Sequence, residues 1–186
     1  MCGVVGVFAP GRDAARLAYF ALYALQHRGQ ESAGIAVSDG GRIESHVSMG
    51  LVGAIFDEEI LRRLSGHLAV GHSRYSTSGS SVVVNAQPLL EQTTIGEFVF
   101  AHNGNLTNHE AMREQLSPDL TLVATSDSEV LAKSIVDVDK PTMEERISDV
   151  MARAEGAYSC VMGTQRELFA FRDPWGIRPL CIGRFE

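Results

Sequence analysis

Short apolar runs with strand character stand at both ends of this chain, and runs with helical spacing fall between them in two groups. A βαβ repeat would alternate the two kinds throughout, so this order predicts an α+β layered domain instead. Residues 3–8, Val-rich and closed by Pro10, read as a buried strand. Asp13 is placed to cap a helix whose Ala14, Leu17, Ala21 and Leu25, with Ala18 and Leu22, share one face. Asp39-Gly40-Gly41 divides residues 34–37 from 43–49 as a hairpin turn would. A short helix over 57–64, an extended stretch over 68–75 and a strand over 97–102 follow, the last running into Asn103-Gly104-Asn105. Three pairs, Thr107 with Glu110, Ser126 with Glu129 and Thr142 with Glu145, carry the capping-box spacing and predict three helix starts. The third opens a helix with Met143, Ile147, Val150, Met151 and Ala154 on one side. Residues 158–162, 168–171 and 180–183 read as closing strands. With no internal repeat, low-complexity segment or linker, residues 1–186 are expected to form one domain.

Composition narrows the function classes. At 45% hydrophobic and 21% charged, 186 residues suffice for one well-filled core. A net charge of −7, with Lys and Arg scattered, argues against nucleic acid or an anionic membrane as partner. The apolar opening from Cys2 to Ala9 lacks a basic leader and is too short to span a bilayer, so no signal peptide is expected. Cys2, Cys160 and Cys181 form neither a disulfide framework nor a zinc spacing, which predicts a reducing, cytoplasmic setting. Asn105-Leu106-Thr107 fits the glycosylation pattern, but without a secretory signal it is read as chance. The histidines show no metal-ligand spacing and no Gly-rich phosphate loop is present, so no metal is expected.

Cys2 stands directly after Met1. Removal of Met1 would free an α-amine beside the thiol. Its pKa, near about 7.7–8.0, leaves an appreciable fraction unprotonated at neutral pH. That amine can serve as general base for its own thiol, as N-terminal nucleophiles require. Taken alone, Cys2 fits a small buried hydrophobe better than a nucleophile.

Its company changes the weight. Met-Cys-Gly-Val-Val-Gly-Val-Phe at the start resembles the opening of class II glutamine amidotransferases. So do Gln26-His27-Arg28-Gly29-Gln30-Glu31-Ser32-Ala33-Gly34, Gly71-His72-Ser73-Arg74-Tyr75-Ser76-Thr77-Ser78-Gly79 and Asn85-Ala86-Gln87-Pro88. The blocks His102 to Leu106, Thr125 to Glu129 and Arg172 to Leu180 complete the set in the family's order. The resemblance implies an N-terminal nucleophile hydrolase fold, a four-layer αββα sandwich with two antiparallel sheets. It implies Cys2 as nucleophile, with Asn103 (side-chain amide) and Gly104 (backbone N–H) as the oxyanion hole. Arg74 and Thr77 would take the glutamine carboxylate and Asp127 its ammonium, with Arg28 and His102 supporting or contacting substrate. The chemistry agrees: a guanidinium fork suits a carboxylate, and donors at a developing oxyanion lower the barrier. Each also has a plainer reading: Arg74 as a surface ion-pair partner, Asp127 as a helix-start charge, Asn103-Gly104 as a turn.

Within the family, the Gln-His-Arg-Gly-Gln and Arg-Asp-Pro-Trp-Gly-Ile-Arg-Pro blocks resemble the purine-synthesis branch, whose glutaminase half serves a phosphoribosyltransferase half. The glucosamine-6-phosphate synthase branch fits less well, favouring Tyr-Arg-Gly-Tyr-Asp where this chain has His27 to Glu31, and Arg-Trp where it has Arg74-Tyr75. Ser76 stands where Ala or Pro is common, and residues 82–84 are apolar for a mobile loop. No counterpart of the phosphoribosyltransferase domain is read in the chain, so magnesium is expected only with that domain and no cofactor here. The expected partners are glutamine and an acceptor domain or subunit, with homo-oligomerisation left open. The rival readings are a free-standing glutaminase and a glutamine-sensing module without turnover.

Overall fold

Two four-stranded sheets form the centre of the protein, which we describe from a computed structural model covering residues 1–75 and 81–184. The first contains β1 (Gly3–Phe8), β2 (Ser32–Ser38), β3 (Ile43–Met49) and β4 (Leu68–Arg74), in the order β1-β4-β2-β3. The second contains β5 (Leu89–Thr93), β6 (Gly96–Leu106), β7 (Gly156–Thr164) and β8 (Leu168–Arg172), in that order. Every pairing is antiparallel. Against the first sheet lie α1 (Ala14–Ala24), α2 (Val52–Ile55) and α3 (Glu58–Arg63); against the second lie α4 (His109–Glu114), α5 (Asp127–Asp137) and α6 (Met143–Arg153). The result is the expected four-layer αββα sandwich.

Strand alternation assigns each sheet two apolar faces. Ala36, Leu68, Val70, Val99, Ala101 and Val161 meet between the sheets. Their strand neighbours turn outward, so Ile35, Val37 and Ala69 pack on α1–α3, and Phe98, Phe100, Tyr158, Cys160 and Met162 pack on α4–α6. The sheets approach closely at Gly6, where a Cβ would come within 2.7 Å of the Val161 side chain.

Several local expectations are corrected. Thr107 does not cap α4, whose N-cap is Asn108. Ser126 is the N-cap of α5 but its hydroxyl makes no cap bond, because Glu129 turns its carboxylate onto the backbone N–H groups of Val123 and Ala124, both at 2.7 Å. Of the three, only Thr142 makes the side-chain cap bond, its Oγ1 accepting from the Glu145 N–H at 3.3 Å and donating to the Glu145 carboxylate at 3.2 Å. Residues 180–183 are not a strand, since they pair with no neighbour in either described sheet. The Asn103-Gly104-Asn105 run is not a turn: β6 continues through it to Leu106. Among the described residues, no helix is long and apolar enough to cross a membrane.

Candidate active site

The interior between the sheets is apolar at one end and polar at the other. On β4, Leu68 and Val70 face the second sheet, and the same alternation carries His72 and Arg74 to that side. On β6, Val99 and Ala101 face inward and Asn103 follows them; on β1, Val4 packs inward and Cys2 precedes it by two. Three strands thus deliver Cys2, Arg74 and Asn103 to one end of the sandwich. His102 points the other way, toward α5.

Cys2 is half-buried, and its backbone N–H donates to Asn103 Oδ1 at 3.1 Å. Its thiol lies 3.5 Å from the Tyr75 carbonyl. Burial pushes the thiol pKa above its ordinary value, against the opposing pull of the Tyr75 contact, the chain's positive amino end and Arg74. A thiol in this position stays protonated at neutral pH unless a base removes its proton. Arg28, from the 3-10 turn Gln26–Arg28, donates its Nε to the Cys2 carbonyl at 3.0 Å, so the guanidinium holds the backbone of the thiol residue. Asn103 Nδ2 sits 3.5 Å from Ser159 Oγ.

Successive N–H groups along a strand point to alternate edges. β5 pairs with β6 only up to Phe100, leaving the edge beyond it to other partners. There the His102 N–H donates to Gln87 Oε1 at 2.7 Å and the Leu106 N–H to Asp127 Oδ2 at 2.9 Å. Gly104 lies midway between them, so its N–H is directed at the same edge. A Cβ on Gly104 would collide with the Ala157 carbonyl and come within 2.8 Å of His102 Nε2, so a side chain there would displace the strand.

Arg74 is 4% exposed, not a surface group, and lies 3.8 Å from the Glu31 carboxylate. Asp127 is 5% exposed and opens α5, whose N-terminal N–H groups favour a negative charge. His102 is buried, its Nδ1 2.9 Å from Ser128 Oγ, and burial lowers its pKa despite the nearby Asp127. Thr77 lies outside the described residues. Sequence reasoning gave Glu31, Gln87, Ser128 and Asn85 no role, although all lie within the resemblance blocks. Asn85 holds Thr125 twice, through Nδ2 to Thr125 Oγ1 at 3.1 Å and through Oδ1 to the Thr125 N–H at 3.0 Å.

The Arg172 to Leu180 block forms a strap across the cleft. Burial alone would raise the Asp173 carboxyl, but N–H groups of Ile177, Tyr158, Arg178 and Trp175 outweigh it and hold the pKa low. Behind this anchored turn, an open cleft of about 490 Å³ runs past Cys2, Arg28 and Asn103 and is walled by Arg172, Ile177, Pro179 and Leu180. Arg74 and Asp127 do not line it, so the cleft takes in the thiol and Asn103 but neither of those two charged groups.

An αββα sandwich with a thiol at the mouth of its inner layer is the N-terminal nucleophile hydrolase architecture. The family pattern described as glutamine amidotransferase domain matches residues 72–186, and the chain belongs to that family. Amidophosphoribosyltransferase of Synechococcus elongatus is 50% identical over 188 residues, covering 100% of this chain and 38% of that protein. Amidophosphoribosyltransferase of Methanocaldococcus jannaschii is 42% identical over 190 residues, covering 100% of this chain and 40% of that protein. The solved structure of glutamine phosphoribosylpyrophosphate amidotransferase from B. subtilis, complexed with ADP and GMP, matches at TM-score 0.90 and 35% identity, over 100% of this chain and 40% of that one. The chain therefore spans about two fifths of the length of these relatives.

Proposed function

We propose that residues 1–186 form one glutaminase domain that hydrolyses glutamine to glutamate and ammonia. The ammonia would serve phosphoribosylamine synthesis on a phosphoribosyltransferase domain or subunit in the purine pathway. The observation that carries this reading is the bond from the Cys2 nitrogen to Asn103 Oδ1. It sets the first residue's nitrogen and sulfur beside the amide that would bind the oxyanion.

Met1 is 52% exposed, accessible to removal. The freed amine takes the Cys2 thiol proton, and Sγ attacks the glutamine side-chain carbonyl carbon. Charge moves to the carbonyl oxygen, facing Asn103 Nδ2 and the Gly104 N–H. The amine returns its proton to the departing nitrogen, releasing ammonia and leaving a thioester. Water, deprotonated by the same amine, then attacks the thioester, freeing glutamate and restoring the thiol. Arg74 holds the substrate carboxylate and Asp127 its ammonium, while Arg28 fixes the Cys2 carbonyl. Thr77 adds a hydroxyl to the carboxylate site by resemblance alone. No step needs a metal or other cofactor; magnesium belongs with the acceptor domain. The reducing cytoplasm suits a free thiol.

The test is treatment with an electrophilic glutamine analogue, read by intact mass. The expected result is a single adduct on Cys2 in chains lacking Met1. Glutamine binding without labelling would favour a sensor module and overturn the hydrolytic reading.

A further inference from the structure

The 85–88 segment does more than connect Val84 to β5. Gln87 is 3% exposed and reaches two elements with one amide. The His102 N–H can only donate, so the Gln87 atom 2.7 Å from it is the carbonyl oxygen. The other amide atom is therefore the NH₂, which donates to Ser128 Oγ at 2.9 Å. Ser128 Oγ, receiving that hydrogen, lies 2.9 Å from His102 Nδ1 and still holds a proton that it can donate there. A neutral imidazole that accepts at Nδ1 carries its proton at Nε2. That Nε2 edge rests against Gly104, within 2.8 Å of where a Cβ would stand. One side chain thus reaches His102 twice, directly at its backbone and through Ser128 at its ring.

The location gives this relay its meaning. His102 immediately precedes Asn103, and Ser128 immediately follows Asp127. The Gln87 amide and the Asp127 carboxylate hold the two N–H groups that flank Gly104 on the β6 edge. We infer that Gln87 and Ser128 are positioning residues: they lock His102 as its Nε2–H tautomer and set the oxyanion edge of β6 against the ammonium-binding start of α5. This rests on the glutaminase reading. It assigns to Gln87 and Ser128 a part in the geometry of the transition state, since neither is placed to touch glutamine.

The experiment pairs a spectrum with kinetics. In protein labelled with ¹⁵N-histidine, the His102 ring should show a protonated Nε2 and an unprotonated Nδ1, independently of any turnover. Ser128→Ala removes the proton donor to Nδ1. It should abolish that fixed pattern and lower kcat for glutamine roughly tenfold to a hundredfold, with KM changed much less, as expected when reacting groups are displaced slightly. Ser128→Thr keeps the hydroxyl and should restore both the tautomer and most of kcat. Gln87→Glu, with its carboxylate ionised, accepts from both neighbours. It should turn the Ser128 proton away from His102 and move the ring proton to Nδ1, with a similar loss of kcat. A wild-type ring protonated at Nδ1 would overturn the relay. So would folded Ser128→Ala and Gln87→Glu proteins with undiminished kcat. If the wild type proved inert toward glutamine, the glutaminase reading would fail instead, with the tautomer still read directly from the spectrum.

Discussion

Asn103 serves two partners with one amide. Its oxygen is occupied by the Cys2 N–H, which leaves the NH₂ as the group able to meet a developing oxyanion. Asn103→Ala should therefore lower kcat by roughly 10²–10³ while leaving KM for glutamine nearly unchanged. A steady-state assay in which only KM moved would remove the oxyanion role. Arg74→Ala and Asp127→Asn should behave in the opposite way. Each strips one side of an ion pair with substrate in a desolvated site, a loss on the order of 2–5 kcal/mol in kcat/KM. Glutamine titration calorimetry should show the same loss in binding. For Cys2, burial raises the thiol pKa, so the proposed mechanism calls on the free amine as base. Protein that keeps Met1, verified by mass, should turn over glutamine almost as poorly as Cys2→Ala.

At the scale of elements, the bond from His72 Nε2 to the His102 carbonyl at 3.1 Å crosses from β4 to β6 and joins the two sheets behind the site. Burial drives the His72 pKa from 6.5 down to about 3, its bond to His102 only partly offsetting this. Below pH 6.5 the unfolded chain binds a proton that the folded chain refuses, so this contribution is complete above that pH and lost as pH falls toward 3. The slope is up to about 1.4 kcal/mol per pH unit for one such histidine. Urea unfolding across that range should show the decline, and His72→Gln should flatten it. Helix ends offer a second contrast. Thr142→Ala deletes a formed cap and should destabilise by about 1 kcal/mol, whereas Ser126→Ala, at a cap whose hydroxyl is unbonded, should cost much less. Equal losses in denaturant midpoints would contradict the assigned caps.

For the whole molecule, the polar end of the sandwich gathers an amide donor, a guanidinium and a carboxylate, a set matched to glutamine. No Gly-rich phosphate loop is read in the sequence that would suit a pyrophosphate-bearing sugar. The 186-residue chain by itself should release glutamate at a rate indifferent to phosphoribosyl pyrophosphate and make no phosphoribosylamine. Turnover should be slow, because an acceptor domain normally helps complete such a site on closure. Stimulation by the pyrophosphate, or amine product from this chain, would show that the division of labour is drawn wrongly.

Much of this was legible in sequence because it depends on local periodicity. The Val-rich run of β1, the Asp13 cap, the Asp39 to Gly41 hairpin turn and the 3.6-residue pattern of α6 each follow from residues within one or two turns of chain. The order of motifs from Cys2 to Leu180 identified the family for the same reason. Other features depend on groups far apart in sequence. β5, with Glu91 and Gln92 in its five residues, is a strand only because β6 offers it an edge. Residues 180–183 are more apolar than β5 but pair with no strand among the described residues, so they are not one. Nearer in the chain, Glu129 left the capping box for backbone donors only five and six residues before it, because the fold turns them onto its carboxylate. Gln87 acquired its place between His102 and Ser128 the same way, across 15 and 41 residues of chain. Local spacing determines which element forms, but a buried polar group must take whichever partner the packed interior supplies, and only tertiary structure decides which one that is.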